Sequence, residues 1–401
     1  MRFKTFCFAA AAIVAWPVAS QAETAVKIGV LNDRSGLYAD LAGEGSVVAA
    51  KMAIEDFKAA EKGLKVEVVS ADHQNKPDIA VNKAREWYDQ DGVDAIFDVP
   101  TSSVALAVSA ITQEKNKIFI DSGAATSDLT GAKCSPNTLH WTYDTWELAH
   151  GTGSAAVKAG GTTWFFLTAD YAFGAALERD TSAVVVAAGG KVLGDVKHPL
   201  NTQDFSSYLL QAQSSGAKVI GLANAGGDTI NSIKQASEFG IVQGGQKLAG
   251  LLVFITDVHS LGLKTANGLV LTSPFYWDLN DGTRAFSDRF MKTTNKRPSM
   301  VQAGVYSSVL HYLKAVHAVG SAKDAQKVMA KMKEMPTEDP LFGKGTVRAD
   351  GRVLHDSYLF EVKKPEESKG PWDYYKLIST TPADKAFRPM NEGGCPLVAG
   401  K

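Results

Sequence analysis

Residues 94–130, DAIFDVPTSSVALAVSAITQEKNKIFIDSGAATSDLT, decide the fold of this 401-residue chain. Ala95 to Val99 reads as a strand, Pro100 as a turn, and Thr101, Ser102 and Ser103 as the opening of a helix. Lys117 to Asp121 is a second apolar strand that runs into the small-residue loop Ser122-Gly123-Ala124-Ala125-Thr126. In a parallel sheet both loops lie at the carboxyl ends of the strands, the edge where open α/β sheets bind ligands. A hydroxyl-rich helix start beside a loop of small residues presents N–H groups and hydroxyls to an anion.

On either side the same alternation continues. Lys27 to Asn32 and Leu64 to Ser70 read as strands, with helical spacing through Val47, Met52, Ile54 and Phe57 and again from Pro77 to Tyr88. Gly131, Cys134 and Pro136 interrupt the pattern. It restarts as a helix over Thr145 to Ala159, then strands at Trp164–Thr168, Lys191–Val196, Val219–Ala223 and Leu248–Ile255, with helices between them. Three further helices run from Arg284 to Met335, and two strands follow, Asp356–Val362 and Trp372–Ile378. Repeated βαβ units predict parallel sheets with right-handed crossovers and helices on both faces. No low-complexity linker separates the two halves, which fits two lobes joined by short crossovers.

Residues 1–22 stand outside this pattern. Arg2 and Lys4 precede an apolar run from Phe6 to Val18, and Ser20-Gln21-Ala22 supplies small residues at the two positions a signal peptidase reads. The run is shorter than the roughly 20 residues a spanning helix needs. A cleaved signal peptide and a periplasmic mature chain are therefore expected, with an uncleaved anchor as the alternative. Of 42 Lys and Arg, these two fall in the leader, so 40 face 43 Asp and Glu in the remainder. That near balance gives no sign of nucleic acid or of an anionic membrane surface as partner. Cys134 and Cys395 remain after Cys7 is removed; in an exported chain they read as one disulfide, the alternative being two free buried thiols.

The motifs KIGVLNDRSGLYADLAGEGSVVAAKMAIEDF, Ser102-Ser103, SGAATSDLT and TADYAFGAALERD, in this order over nearly the whole mature chain, resemble the solute-binding proteins of ABC importers of the branched-chain amino acid type. The resemblance implies an α/β fold of two αβα lobes joined by three crossovers, with the ligand in the cleft between them. It implies lobe one as 26–142 plus 274–345, lobe two as 143–273 plus 346–380, and a tail, 381–401, that returns to lobe one. It also implies a carboxylate clamp at Ser102 and Ser103 with the loop Ala124, Ala125 and Thr126; capping of the helix is the competing role for the serines. Leu41 stands where amino-acid binders of the family often carry a tyrosine, and Tyr38 is near enough in sequence either to replace it or to pack on the rim. Tyr171 and Phe173 occupy the loop that lays an aromatic over the ligand, and Asn224 opens the next such loop. Asp257 is nearest in order to the acid that takes an amino acid's ammonium, although helix capping accounts for it equally. Phe254, Tyr276 and Trp277 suggest an apolar, ring-accepting wall. A blurred ammonium site beside an intact carboxylate clamp points to a small organic acid, aromatic for preference, with a branched-chain amino acid second.

Partners implied by the resemblance are that ligand and the membrane permease of an importer. A sensor subunit built on the same fold is the alternative. The sequence carries no HExxH, no Cys/His cluster, no GxSxG and no GxGxxG after the first strand, so neither an enzyme nor a metal or cofactor is expected. Gly151-Thr152-Gly153 falls inside a helical pattern and reads as packing rather than a phosphate loop.

Overall fold

The computed structural model describes residues 23–398. The expected leader therefore lies outside the described residues. Five parallel strands, β1 (Thr24–Asn32), β2 (Leu64–Asp72), β3 (Ala95–Asp98), β4 (Ile118–Asp121) and β5 (Thr138–His140), form a sheet in the order β2-β1-β3-β4-β5. Side-chain alternation decides what each face buries. Ile28, Val30, Phe97, Ile118 and Ile120 pack with Val301, Val305 and Val309 of the helix Met300–Val319. Leu31, Ile96 and Phe119 point the other way, onto Val104, Ala105 and Val108 of the helix Ser102–Glu114. Each such fully buried aliphatic contributes about 1.5–3 kcal/mol relative to exposure.

Lobe two repeats the plan with β6 (Thr163–Ala169), β7 (Lys191–His198), β8 (Val219–Ala223) and β9 (Lys247–Gly250) in the order β7-β6-β8-β9. An antiparallel sheet of β10 (Val270–Ser273), β14 (Ser357–Val362) and β15 (Tyr375–Thr381) shares its core through Leu271, Phe360, Val362 and Tyr375. Between them in sequence, β11 (Thr337–Asp339), β12 (Gly343–Val347) and β13 (Val353–Leu354) form a small antiparallel sheet.

Three sequence expectations are corrected. The strand expected over Leu248–Ile255 stops at Gly250; Leu251 to Phe254 is a loop, and Ile255–Leu261 is a helix. An unbroken apolar run looks alike as strand or buried loop, and the helix start is fixed by Asp257, whose Oδ2 accepts from Phe254 N at 2.9 Å. The lobe-two segment expected to begin at 346 begins later, because Arg352 bridges to His140 at the edge of the first sheet. The chain thus crosses at 141–144, after β10, and just before β14. The last strand starts at Tyr375 rather than Trp372, whose backbone turns left-handed (φ 74°).

One feature ties the crossovers and another the tail. Arg352 is fully buried and donates to the carbonyls of Trp141 (3.1 Å), Thr142 (2.7 Å) and Tyr143 (3.3 Å), with Asp144 at 3.5 Å and the Phe387 ring 4.0 Å from the guanidinium carbon. The disulfide Cys134–Cys395 joins the tail to the loop after β4 across 261 residues. The helical stretch from Thr145 to Lys158 contains a π turn, Ala149–Gly153, where a Cβ on Gly151 would sit 2.2 Å from Thr272 Oγ1. Packing, as expected, accounts for that glycine.

Candidate ligand-binding site

The lobe-one wall is built by two sheet-edge turns. Asp98 and Val99 both have left-handed backbones (φ 81° and 65°), a strained state for a β-branched residue, and they deliver Pro100 to the cleft. Gly123 faces it so closely that a Cβ there would lie 2.6 Å from Pro100 Cα. Asp121, at the end of β4, accepts from Ala124 N (3.0 Å) and Gly123 N (3.3 Å), which sets the course of the small-residue loop. Burial raises the Asp98 carboxyl to about 6 and pushes Asp121 well above its ordinary value, the latter against the hydrogen bonds it accepts.

Ser102 links the two turns. Thr101, not Ser102, is the N-cap of the helix Ser102–Glu114, and it makes no side-chain cap. Ser102 Oγ instead accepts from Thr126 N at 3.2 Å, 1% exposed, and retains its own proton for donation. Ala125 lines the cleft, whereas Ala124 is turned inward, its carbonyl bonded to His140 Nε2 at 2.8 Å. Thr126 Oγ1 accepts from Asp128 N (3.4 Å) and opens the short helix Ser127–Thr130. Ser103 is half-buried on the same helix start.

Across the cleft stand Tyr171, Phe173, Ala225, Leu252 and Phe254, with Tyr143 from the first crossover and Tyr38 and Leu41 from lobe one. These residues leave a cavity of only about 10 Å³ between them, far below the roughly 300–1,000 Å³ of sites for drug-sized ligands, so the cleft is closed down on itself. The lobes meet around it. Tyr38 Oη lies 2.6 Å from Tyr171 Oη, Gly227 N donates to Leu37 O (3.4 Å), and Arg179 pairs with Asp128 (3.0 Å) while Ser127 Oγ donates to Asp180 (2.8 Å). Burial drives both tyrosine hydroxyls to raised pKa values, so each meets a ligand as a neutral donor. Tyr143 Oη donates to Gly123 O (2.6 Å), and its ring meets Phe254 edge-on at 6.0 Å.

Four expected residues sit elsewhere. Asp257 is 2% exposed and caps its helix; burial holds its carboxyl up at about 7. Asn224 is fully buried and bonded within lobe two to His198 (3.2 Å), Ser232 (3.3 Å) and Thr229 (2.7 Å), leaving its neighbour Ala225 at the cleft. Tyr276 turns into the core of lobe two, where its hydroxyl donates to Trp372 O (3.2 Å) and accepts from Tyr374 N (3.1 Å). Trp277 likewise donates to Trp372 O (2.7 Å) under the Arg297 guanidinium. Tyr143 and Leu252 were not among the expected contacts. Tyr143 follows directly on a crossover, which is a usable signal; Leu252 sits in the apolar run misread as strand.

Two lobes of parallel α/β structure meeting around an apolar, aromatic-lined cleft fit a solute-binding protein. The periplasmic binding protein family model matches residues 25–371, and the chain belongs to that family. Among solved structures, a periplasmic binding protein from Burkholderia mallei is 54% identical, with 94% of this chain and 99% of that one covered and a TM-score of 0.91. A branched-chain amino acid ABC transporter periplasmic ligand-binding protein from Burkholderia xenovorans LB400 is 43% identical, covers 93% of this chain and 99% of that one, and has a TM-score of 0.82. A Rhodopseudomonas palustris ABC-transporter solute-binding protein in complex with benzoate shares the fold at 22% identity and a TM-score of 0.81, over 93% of this chain and 99% of that one.

Proposed function

We propose that this protein captures a small aromatic carboxylate in the periplasm and hands it to the permease of an ABC importer. The observation that carries the choice of ligand is the cleft lining: it has four aromatic rings from Tyr143, Tyr171, Phe173 and Phe254, a fifth from Tyr38, and no acidic side chain. An amino acid's ammonium would meet no carboxylate there, since Asp257 is occupied as a helix cap. A carboxylate at the lobe-one edge would accept from Ser102 Oγ and compete with it for Thr126 N, charge-assisted bonds that gain strength where water is excluded. A planar ring would lie among the tyrosine and phenylalanine faces. The benzoate complex of the Rhodopseudomonas palustris protein supports this reading by showing an aromatic acid held on the same fold.

Ligand binds the lobe-one edge first, and lobe two closes over it, with Tyr38–Tyr171 and Arg179–Asp128 as contacts made only on closure. The chain acts as a carrier rather than an enzyme, and the leader directs its export. Isothermal titration with benzoate, 4-hydroxybenzoate and leucine tests the assignment: the aromatic acids bind and leucine does not. Tight leucine binding without response to either benzoate would reverse it in favour of a branched-chain amino acid, the reading that the Burkholderia xenovorans relative favours.

A further inference from the structure

A second cavity of about 110 Å³ lies behind the crossovers, with no lining residue in common with the cleft. Each crossover contributes to its wall on the lobe-two side: Trp146 and Glu147 after the first, Thr272 before the second, Ser357 and Tyr358 after the third. Lys385 of the returning tail stands at its rim. Glu147 is 2% exposed; its Oε1 accepts from the Ser357 hydroxyl, and its Oε2 has no hydrogen-bond partner among the described residues.

We propose that this cavity is a ligand site for a small organic ammonium ion, with Glu147 as its anchor. A buried carboxylate oxygen without a donor is a costly arrangement that a guest bearing N–H groups relieves. Of the lining hydroxyls, that of Thr272 is engaged with Thr152 Oγ1 at 2.8 Å and that of Ser357 with Glu147 itself. The nearby buried cation, Arg352, is spent on the crossover carbonyls and Asp144. An anionic guest would face Glu147 with like charge, whereas an ammonium makes a charge-assisted bond to it. The half-buried Trp146 indole, stacked on His150 with ring centres 3.5 Å apart, offers a surface for a short hydrocarbon stem. The π turn at Ala149–Gly153 begins two residues after Glu147 and carries His150 and Gly151 to the same cavity; such turns recur at functional sites.

The site is independent of what the cleft binds. Charged and titratable groups around Glu147 are Asp144 and His150 on its own segment, Arg352 on the β12–β13 hairpin and Lys385 on the tail; β10 supplies only Thr272, and β14 adds the Ser357 and Tyr358 hydroxyls. Burial raises the Glu147 carboxyl to about 8, so the test is run at pH 8.5, where it is ionised. Ethanolamine is titrated into the full-length protein by calorimetry, with tryptophan fluorescence as a second readout. Saturable one-to-one binding is expected, with ethylene glycol, of similar size and uncharged, giving none. Glu147→Gln weakens binding at least tenfold, and Ala386→Leu, which fills the cavity, does the same. Tyr171→Phe, altered only in the cleft, leaves it unchanged. The proposal is overturned by absence of saturable binding, by equal binding of ethylene glycol, by a folded Glu147→Gln protein of unchanged affinity, or by loss in Tyr171→Phe, which would place the probe in the cleft.

Discussion

The two walls of the cleft are made in opposite ways. On lobe one the lining is Tyr38, Leu41, Pro100, Gly123 and Ala125, and its small-residue loop is held from behind: Asp121 accepts from Gly123 N and Ala124 N, His140 bonds Ala124 O, and Ser102 accepts from Thr126 N. On lobe two the surface is large and apolar, presented by Tyr171, Phe173, Leu252 and Phe254 from loops and a helix start. The first wall's loop is fixed by bonds to its own sheet; the second is made of large side chains on loops and a helix start.

The comparison is broken most severely by Phe254→Ala, which removes an aromatic that packs against both Tyr143 and lobe two. A stability loss of about 3–5 kcal/mol is expected from denaturant unfolding, together with weakened binding of aromatic acids. Ser102→Ala acts on the opposite wall. It leaves Thr126 N without its acceptor and the ligand without a donor, and affinity should fall by about 1.5–3 kcal/mol in calorimetry. Unchanged affinity with a lowered melting temperature would make Ser102 a purely structural link.

Asp257 sharpens the contrast through pH. Its carboxyl is raised in the folded state to about 7, so the native protein binds more protons than the unfolded chain between pH 4 and 7. Its contribution is unfavourable to stability once it ionises, and stability falls as pH rises through that window. Asp257→Asn, which keeps an acceptor for Phe254 N, should flatten the decline, worth on the order of 4 kcal/mol at pH 8. Measured slopes identical in the two proteins would remove Asp257 from the account. Smallest is Tyr38→Phe, which deletes the hydroxyl pair across the cleft; about 0.5–1.5 kcal/mol of ligand affinity should be lost, with scattering showing a larger open fraction.

The sheet of lobe one was legible because its strands are short, apolar and separated by turn residues, and because Ser102 and the 122–126 loop follow strands directly. The aromatic wall was legible only in part. Tyr171 and Phe173 open a helix after a strand, a position sequence can mark, while Tyr276 and Trp277 look identical to them in composition and were drawn inward by hydrogen bonds to Trp372 O, 95 and 96 residues away. Asp257 could be read either as ligand acid or as cap, and only the 2.9 Å contact to Phe254 N decides. Long-range partners of this kind leave no local trace.

Neither lobe is a continuous stretch of chain. The helix Gly43–Phe57 packs against Met300–Val319, and β10 finds its partner β14 some 85 residues on. A nascent chain therefore cannot finish either half until its last quarter has emerged, and contacts of such long sequence separation form slowly. The interleaved order of segments is itself a delay, and the Cys134–Cys395 bridge, spanning 261 residues, closes only after the segments between have arrived.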